Sequence, residues 1–444
     1  MADFKQQALN LAVQQQSPAW LGALRTRAAN DWQNVIWPTR KTEHWKYTSL
    51  ASLQKSTLDV INSPVHLAVS NTDWKNDVEF IAVDAIRLVF VNGVFDPISS
   101  NAFSEELGGA EIVRFSQANA AQQNLIEQHL GKVVEGSQHL FATLSNAWLD
   151  DGLLVHVARN QTLEKPIYIV QVTTLSDQTI SVNQRVLVVL EDSAQAEVIE
   201  HYVSTNEQQN SFVNSLTEIV VGDNAQLQHY RLNLEEENIQ HIGAVHVNLL
   251  RNARLRGFTL ALGSKLKRID YQINHRGQGA ELNLQGVYLP RNNQMVDYHS
   301  NVQHWVPHCT TSEVFRGIIA DSAQAIFNGR IYIHKDAQKT LAELSNKNLL
   351  TSNKAEINTK PELEIYADDV KCAHGATVSQ LNATALYYLQ SRGVSRTEAE
   401  VMMSFGFINE LLEQIPEVAV HDYLFPRLAA LFGRDQALLS MADE

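Results

Sequence analysis

The sequence is poor in cysteine, with only Cys309 and Cys372 among its 444 residues. Two cysteines so far apart provide no disulfide framework of the kind that small secreted proteins use. The first ten residues also lack the basic and then apolar pattern of a secretory signal. We therefore expect the protein to work in the cytoplasm.

Long apolar runs and excess basic charge are missing as well. No run approaches the roughly 20 apolar residues that a membrane-spanning helix needs, so we expect no membrane insertion. The formal net charge is −14. An acidic protein repels phosphate backbones, and the densest basic stretch, residues 265–268, is short. We therefore expect no nucleic-acid partner.

Common nucleotide-binding and hydrolase motifs are also lacking. The sequence has no Gly-x-x-x-x-Gly-Lys-Ser/Thr phosphate loop and no Gly-x-Gly-x-x-Gly dinucleotide motif. It has no Gly-x-Ser-x-Gly nucleophile elbow either. These absences argue against an ATPase, a nicotinamide-dependent enzyme and an α/β-hydrolase.

Residues 1–150 are predicted to form a mostly helical N-terminal domain. Apolar side chains recur at helical spacing over residues 4–12 and again over residues 20–28. The segment 38–49 mixes aromatic and charged residues, which predicts a loop that packs Trp45 and Tyr47 against a neighbouring element.

From residue 151 to 378 the sequence changes to short apolar strands separated by polar turns. A turn element that ends in alanine recurs at Asp192-Ser-Ala, Asp223-Asn-Ala, Arg251-Asn-Ala and Gly279-Ala. These alanines follow one another at intervals of about 30 residues, a period typical of stacked repeats. Because such a coil can bury its apolar face only against its neighbours, we predict a β-solenoid. A β-sandwich is the main alternative, although few Asn-Gly or Asp-Gly hairpin turns are present.

Residues 379–444 are predicted to form a C-terminal helical domain. A short helix over residues 383–391 is expected to end at Gly393. Ser395 and Glu398 then form a capping box, in which each side chain satisfies a free N–H at the start of the next helix.

The motif Cys372-Ala-His374 is the sharpest candidate for a metal site. Residues two apart on a strand face the same side, so a thiolate and an imidazole there suit one soft or borderline metal. The alternative is that Cys372 is an ordinary core residue, because unpaired buried cysteines are common. An iron–sulfur cluster usually takes four thiolates. This chain would therefore share a cluster with another subunit, or use histidine and carboxylate ligands.

A second histidine cluster lies at residues 299–309 and includes His304, His308 and Cys309. Its His-x-x-x-His step suits a metal only on a helix, and Pro307 argues against a helix. On a strand, His308 and Cys309 would face opposite sides. We interpret this cluster as structural.

Residues 363–378 and 388–393, which contain the Lys-Cys-x-His-Gly signature, closely resemble the SufB/SufD family of iron–sulfur cluster assembly proteins. Residues 38–48, Phe327-Asn-Gly-Arg-Ile and Asn348-Leu-Leu resemble the cysteine-poor branch of that family. The resemblance extends from about residue 38 to 415.

This resemblance implies a right-handed parallel β-helix between helical terminal domains. It implies a non-catalytic scaffold that pairs with a SufB-like subunit, recruits a SufC-like ATPase and passes clusters to acceptor apo-proteins. Cys372 and His374 match the signature positions and would hold an iron–sulfur cluster transiently, shared with the partner. Arg392 and the helix with Met402, Phe405 and Phe407 would contact the ATPase. An exposed strand edge also favours a homodimer of the isolated chain.

Two other functions remain open from the sequence. A β-helix enzyme acting on polysaccharide would use Asp368 and Asp369 as acids with Arg330 as base, although a turn between strands also explains the two acids. A structural platform would carry an inert Cys372 and His374. Likewise, Met402, Phe405 and Phe407 fit a helix core as well as a partner surface.

Overall fold

The computed structural model describes residues 4–14, 17–54, 59–60, 74–101, 107, 109–133, 139–174, 180–206, 208–235 and 237–440. Two ten-stranded sheets form the centre of the protein. The first sheet contains β1 (Asp59–Val60), β4 (Ala110–Arg114), β5 (Leu153–Val157), β7 (Ile180–Leu190), β9 (Ser211–Val221), β11 (Gln240–Leu249), β13 (Leu266–His275), β15 (Met295–His304), β17 (Gln324–Ile333) and β19 (Glu356–Ile365). The second contains β2 (Ile86–Val91), β3 (Val94–Phe95), β6 (Ile167–Thr173), β8 (Gln195–Ser204), β10 (Gln226–Asn233), β12 (Arg254–Leu262), β14 (Glu281–Leu289), β16 (Thr310–Ile319), β18 (Leu341–Leu350) and β20 (Lys371–Gln380).

From β5 onward the chain alternates between the two sheets, and every strand pairs in parallel with the strand two places away. The result is a parallel β-solenoid of about seven turns, which confirms the predicted fold class over the β-sandwich. The register is regular, so each interior position forms a column of side chains that runs along the solenoid. Strands β2, β3 and β4, which precede the alternating strands in sequence, extend the two sheets at their beginning.

One corner of the solenoid repeats a left-handed backbone conformation from coil to coil. The residues with positive φ there are Ser193, Asn224, Asn252, Gly279, His308 and Lys339. Asparagine and glycine adopt this conformation at low cost, which explains the turn chemistry of the repeat. The backbone N–H of Asn224 donates to the carbonyl of Arg251, and that of Asn252 donates to Gln278, at 2.8 and 2.9 Å. These bonds tie each corner to the next.

A column of small residues fills the inside of the same corner. It consists of Ala194, Ala225, Ala253, Ala280, Cys309 and Thr340, all of them buried. The alanines that recur in the sequence thus lie inside this corner, where successive coils stack on one another. Cys309 occupies an alanine position of the repeat.

Helices cover the outer faces of both sheets. The helices before the solenoid are α1 (Phe4–Gln14), α2 (Gly22–Asn34), α3 (Ala51–Gln54), α4 (Trp74–Asp77), α5 (Ala120–His129) and α6 (Leu140–Ala147), and those after it are α7 (Ala383–Ser391), α8 (Arg396–Leu412) and α9 (Val418–Ser440). Phe4 and Trp148 pack on Phe212 of the first sheet. Ile408 of α8 and Leu424 of α9 belong to the apolar layer on the second sheet. The predicted capping box of Ser395 and Glu398 opens α8.

The loop before α3 follows the prediction only in part. Trp45 packs against Phe141, with ring centres 5.7 Å apart, and the Arg268 guanidinium lies 3.9 Å from the centre of its ring. Tyr47 is instead 44% exposed, so the prediction that it packs against a neighbour is wrong. Among the described helices, none is both long and apolar enough to cross a bilayer.

Candidate functional site

Cys372 and His374 lie on β20, the last strand of the solenoid. In the register of the second sheet, Cys372 follows Ala342 and Thr311, and His374 follows Leu344 and Glu313. Both side chains therefore lie on the interior-facing side, as their two-residue spacing predicts. Because β20 belongs to the final coil, no further coil covers them.

The two side chains have different surroundings. Cys372 is half-buried and packs against the apolar interior. Burial raises the pKa of its thiol, and the Ala342 backbone N–H offsets only part of that rise. The unligated thiol is thus protonated at neutral pH, and a cation is needed to convert it to a thiolate. His374 is exposed and makes no hydrogen bond or ion pair with another described residue.

The chain supplies too few donors here for a complete metal site. Across the described residues, the one group of three His, Cys, Asp or Glu side chains with close ligand atoms does not include Cys372 or His374. A tetrahedral iron or zinc site needs four ligands, so a site built on these two requires donors from outside the chain.

The end of the solenoid around Cys372 is open and partly apolar. Within the described range, β19 pairs only with β17 and β20 only with β18, so two ten-residue strands have unpaired edges. Val378, on the interior-facing side of β20, is 49% exposed, and Ile365 and Tyr366 are also exposed. Unpaired edges and exposed apolar side chains together are typical of a surface that another chain covers.

The four residues predicted to contact an ATPase do not all lie on the surface. Arg392 is exposed at the end of α7, and its guanidinium lies 5.2 Å from the ring centre of Tyr388. Met402 is 56% exposed. The neighbouring Tyr387 is 72% exposed, and Tyr388 is exposed too. This Tyr-Tyr pair was not predicted as part of the surface, although two adjacent tyrosines in a short helix cannot both face a core.

Phe405 and Phe407 contribute mainly to packing. The Phe405 ring lies 5.0 Å from Phe425 and 6.2 Å from Phe432. Arg316 of β16 lies 5.5 Å from the Phe407 ring centre and donates a hydrogen bond to the Phe407 carbonyl. Both phenylalanines are half-buried, and they hold the helical layer together and to the second sheet.

The residues of the polysaccharide-enzyme alternative are engaged elsewhere. Asp368 and Asp369 lie in the corner between β19 and β20, where Asp369 forms an ion pair with Lys339. Arg330 lies on the outer side of β17 and pairs with Glu364 at 2.7 Å. The structure therefore does not bring these two acids and the base into one site.

A cluster of ligand-type side chains that the sequence analysis did not assemble lies inside the solenoid. One nitrogen each of His275 and His304 and the sulfur of Cys309 lie within 4.8 Å of one another, and all three residues are buried. Burial lowers the pKa of His304 to about 3 and that of His275 well below its usual range, and it raises the pKa of the Cys309 thiol. The available signal was the sequence spacing between the two histidines, which matches one period of the repeat.

Comparison with known proteins covers almost the whole chain. Residues 3–169 match the family described as SufBD protein N-terminal region, and residues 172–407 match SUF system FeS cluster assembly, SufBD core domain. The chain is similar to an iron–sulfur cluster assembly SufBD family protein of Synechocystis, with 34% identity over 85% of this chain and 84% of the relative. It is also similar to the iron–sulfur cluster assembly protein SufD of Escherichia coli, at 31% over 88% of each chain. SufD of Bacillus subtilis is 27% identical over 90% of this chain and 91% of its own.

Proposed function

Since the chain belongs to the SufBD family of iron–sulfur cluster assembly proteins, we propose that it is a scaffold subunit without catalytic residues of its own. It pairs with a SufB-like subunit, recruits a SufC-like ATPase, holds a nascent cluster transiently and releases it to acceptor apo-proteins. The cluster is cargo, and this chain alone does not bind it stably.

The observation that carries the proposal is the open last coil with Cys372 and His374 on its interior-facing side. A second family scaffold that covers this coil would bring its own donors next to these two residues. The shortage of cysteine in this chain then has a simple explanation, because the remaining ligands come from the partner. In the isolated chain, we expect a second copy to occupy the same edges, as a homodimer.

The proposed ATPase surface consists of Tyr387, Tyr388, Arg392 and Met402. These side chains are exposed on α7 and α8, and aromatic, arginine and methionine residues are enriched in protein interfaces. ATP hydrolysis has to come from a partner, because the chain lacks a phosphate loop of its own. Phe405 and Phe407 support this surface from beneath by fixing α8 on the second sheet.

The central experiment is co-expression of the chain with a SufB-like scaffold and a SufC-like ATPase, followed by anaerobic purification. We expect a three-component complex that contains iron and acid-labile sulfide. His374→Ala should reduce both to background while the complex still forms. His308→Asn is the matched control, because it removes another exposed histidine and supplies the residue that Asn224 and Asn252 place at the same corner. A His374→Ala complex with wild-type iron content would contradict the assigned role of His374.

The ATPase surface is tested separately on the intact chain. Met402→Asp should weaken capture of the SufC-like ATPase at least tenfold, because it places a charge in an apolar contact. Val13→Asp on α1 is the control, because it makes the same kind of change at an exposed position far along the chain. Equal capture by both variants would refute the assignment of Met402.

A further inference from the structure

We propose that His275, His304 and Cys309 form a metal site inside the solenoid that binds one Zn²⁺ ion. Their ligand atoms all lie within 4.8 Å of one another. Zn²⁺ binds imidazole nitrogen at about 2.0 Å and thiolate sulfur at about 2.3 Å, so two ligands of one ion lie up to about 4 Å apart. The three atoms therefore have to move closer together to share one ion. Because the lone pairs of parallel imidazoles point in the same direction, one of the two rings has to turn so that both nitrogens face the ion. The site is separate from Cys372 and His374 in the last coil.

The two histidines interrupt an otherwise apolar column. Along the first sheet this interior column reads Leu190, Val221, Leu249, His275, His304, Ile333 and Ile365. Leucine, valine and isoleucine fill the position in five coils, so the solenoid geometry does not require a polar side chain there. The imidazoles of His275 and His304 stack with ring centres 4.2 Å apart and planes 9° apart.

Cys309 interrupts a second column, next to the first. Four earlier coils place alanine at this corner position, and Cys309 alone supplies a sulfur there. A third column has apolar residues in the earlier coils and a threonine, Thr311, in the coil of Cys309. The earlier residues are Ala196, Leu227, Leu255 and Leu282. Three neighbouring columns thus change from apolar side chains to histidine, cysteine or threonine at the same place in the solenoid. Such a coincidence is expected where the solenoid carries a binding site.

The hydrogen bonds of the cluster leave capacity for a cation. Thr311 Oγ1 lies 3.0 Å from Nε2 of His275 and 3.0 Å from Nε2 of His304. The Nδ1 atoms of both histidines are buried without a hydrogen-bond partner among the described residues. Buried polar atoms are usually paired, so these two nitrogens mark a place where a ligand is expected.

The donor set selects the kind of metal. Two imidazoles and one thiolate suit a borderline cation such as Zn²⁺, and three protein ligands leave a fourth position for a water. Binding forms a zinc–sulfur bond and releases the Cys309 thiol proton to solvent. The ion would join β13, β15 and the corner before β16. Of these, β15 and the corner lie two coils below the last coil, and β13 lies three coils below it. Because all three ligands are buried, chelators should remove the ion slowly.

The test uses the full chain, expressed with added zinc, desalted and assayed for metal by elemental analysis. We expect about one zinc per wild-type chain, and at least a tenfold lower content in Cys309→Ala and His304→Leu. Both variants install residues that other coils of the solenoid carry at the same positions, so circular dichroism should show that they fold. Co²⁺-loaded wild type should also show a thiolate-to-cobalt charge-transfer band that Cys309→Ala lacks.

Cys372→Ala is the control that separates this site from the proposed scaffold function. It should keep its zinc and its cobalt band, even if it fails in cluster assembly. The inference is overturned if wild type retains no zinc, if folded Cys309→Ala and His304→Leu retain it, or if Cys372→Ala loses it. Loss of cluster assembly with interior zinc intact would bear on the scaffold proposal alone.

Discussion

The two ends of the solenoid are finished in different ways. At the N-terminal end, the sheets end in the short antiparallel strands β3 and β4, of two and five residues. At the C-terminal end they stop at β19 and β20, each ten residues long and, in the described structure, unpaired on its outer edge. Stacked repeats need a cap at both ends, and short edge strands are one way of making it. The chain therefore caps one end itself, and in the proposed function a partner covers the other.

The largest expected effect is on the pH dependence of the unfolding free energy, which reports whether water reaches the interior below the last coil. Glu313 of β16 is buried, and neither carboxylate oxygen has a hydrogen-bond partner among the described residues. Burial raises its pKa from 4.5 to about 7. The folded state then keeps a proton that the unfolded state has released, so stability falls as pH rises through this window.

Glu313→Gln removes this pH dependence. Each unit of pKa shift corresponds to about 1.36 kcal/mol, so between pH 4.5 and about 8 the wild type should lose up to about 3 kcal/mol of unfolding free energy relative to the variant. Denaturant titrations at several pH values measure this difference, with exposed Glu343→Gln as the control for charge removal. If the difference in unfolding free energy between wild type and Glu313→Gln does not change with pH, water reaches the interior at β16.

The next prediction compares matched valines at the two ends. Val155 of β5 is 0% exposed, whereas Val378 of β20 is 49% exposed, and both face the interior side. Val155→Ala should lower the unfolding free energy by about 2 kcal/mol, from lost burial and the cavity left behind. Val378→Ala should lower it by less than about 0.5 kcal/mol in the isolated chain. Equal losses would show that the last coil is as closed as the first.

A charge at the same position tests whether a partner completes the open end. Val378→Asp should weaken binding of the SufB-like scaffold at least tenfold, about 1.4 kcal/mol, because it buries a carboxylate in the interface. The midpoint of thermal unfolding of the isolated chain should hardly change. Binding assays on immobilised chain measure the first effect, with Val13→Asp as the control. If Val378→Asp binds the SufB-like scaffold as tightly as wild type does, the scaffold does not cover the last coil.

The smallest expected effect is that of removing the His374 side chain on the stability of the isolated chain. His374→Ala should change the unfolding free energy of the isolated chain by no more than about 0.5 kcal/mol, because the side chain is exposed and makes no polar contact with described residues. Chemical denaturation of both proteins is sufficient. A loss above about 1 kcal/mol would mean that His374 supports the fold, and its effect on clusters could then be indirect.

Much of the fold was predictable because its signals are local. The turn with a left-handed residue followed by alanine recurs in four successive coils, and Asn224 and Asn252 indicate the corner from sequence alone. The capping box of Ser395 and Glu398 depends on four consecutive residues and was likewise predictable. Tyr47 escaped prediction because its exposure depends on the surface that a loop happens to meet.

The candidate sites were predictable only where their parts are close in sequence. Cys372 and His374 are two residues apart, so strand geometry alone places them on one face. His275 meets His304 through strand pairing between coils, and coil length varies from one coil to the next, so the register cannot be read from the sequence with certainty. For Phe405 and Phe407, helical spacing shows that apolar side chains share one face of the helix. It does not show whether this protein or a partner covers that face.

The stepwise pairing of the strands has a consequence for synthesis on the ribosome. Each coil pairs with the coil made before it, so the stack can lengthen as the chain emerges, and every coil is for a time the newest one with unpaired edges. The coil of β19 and β20 keeps that state after synthesis ends. In the proposed function, a partner that binds there would take the position next to this last coil. Assembly at this edge would then extend the same strand pairing by which the chain folds, with a strand of another chain as the next element.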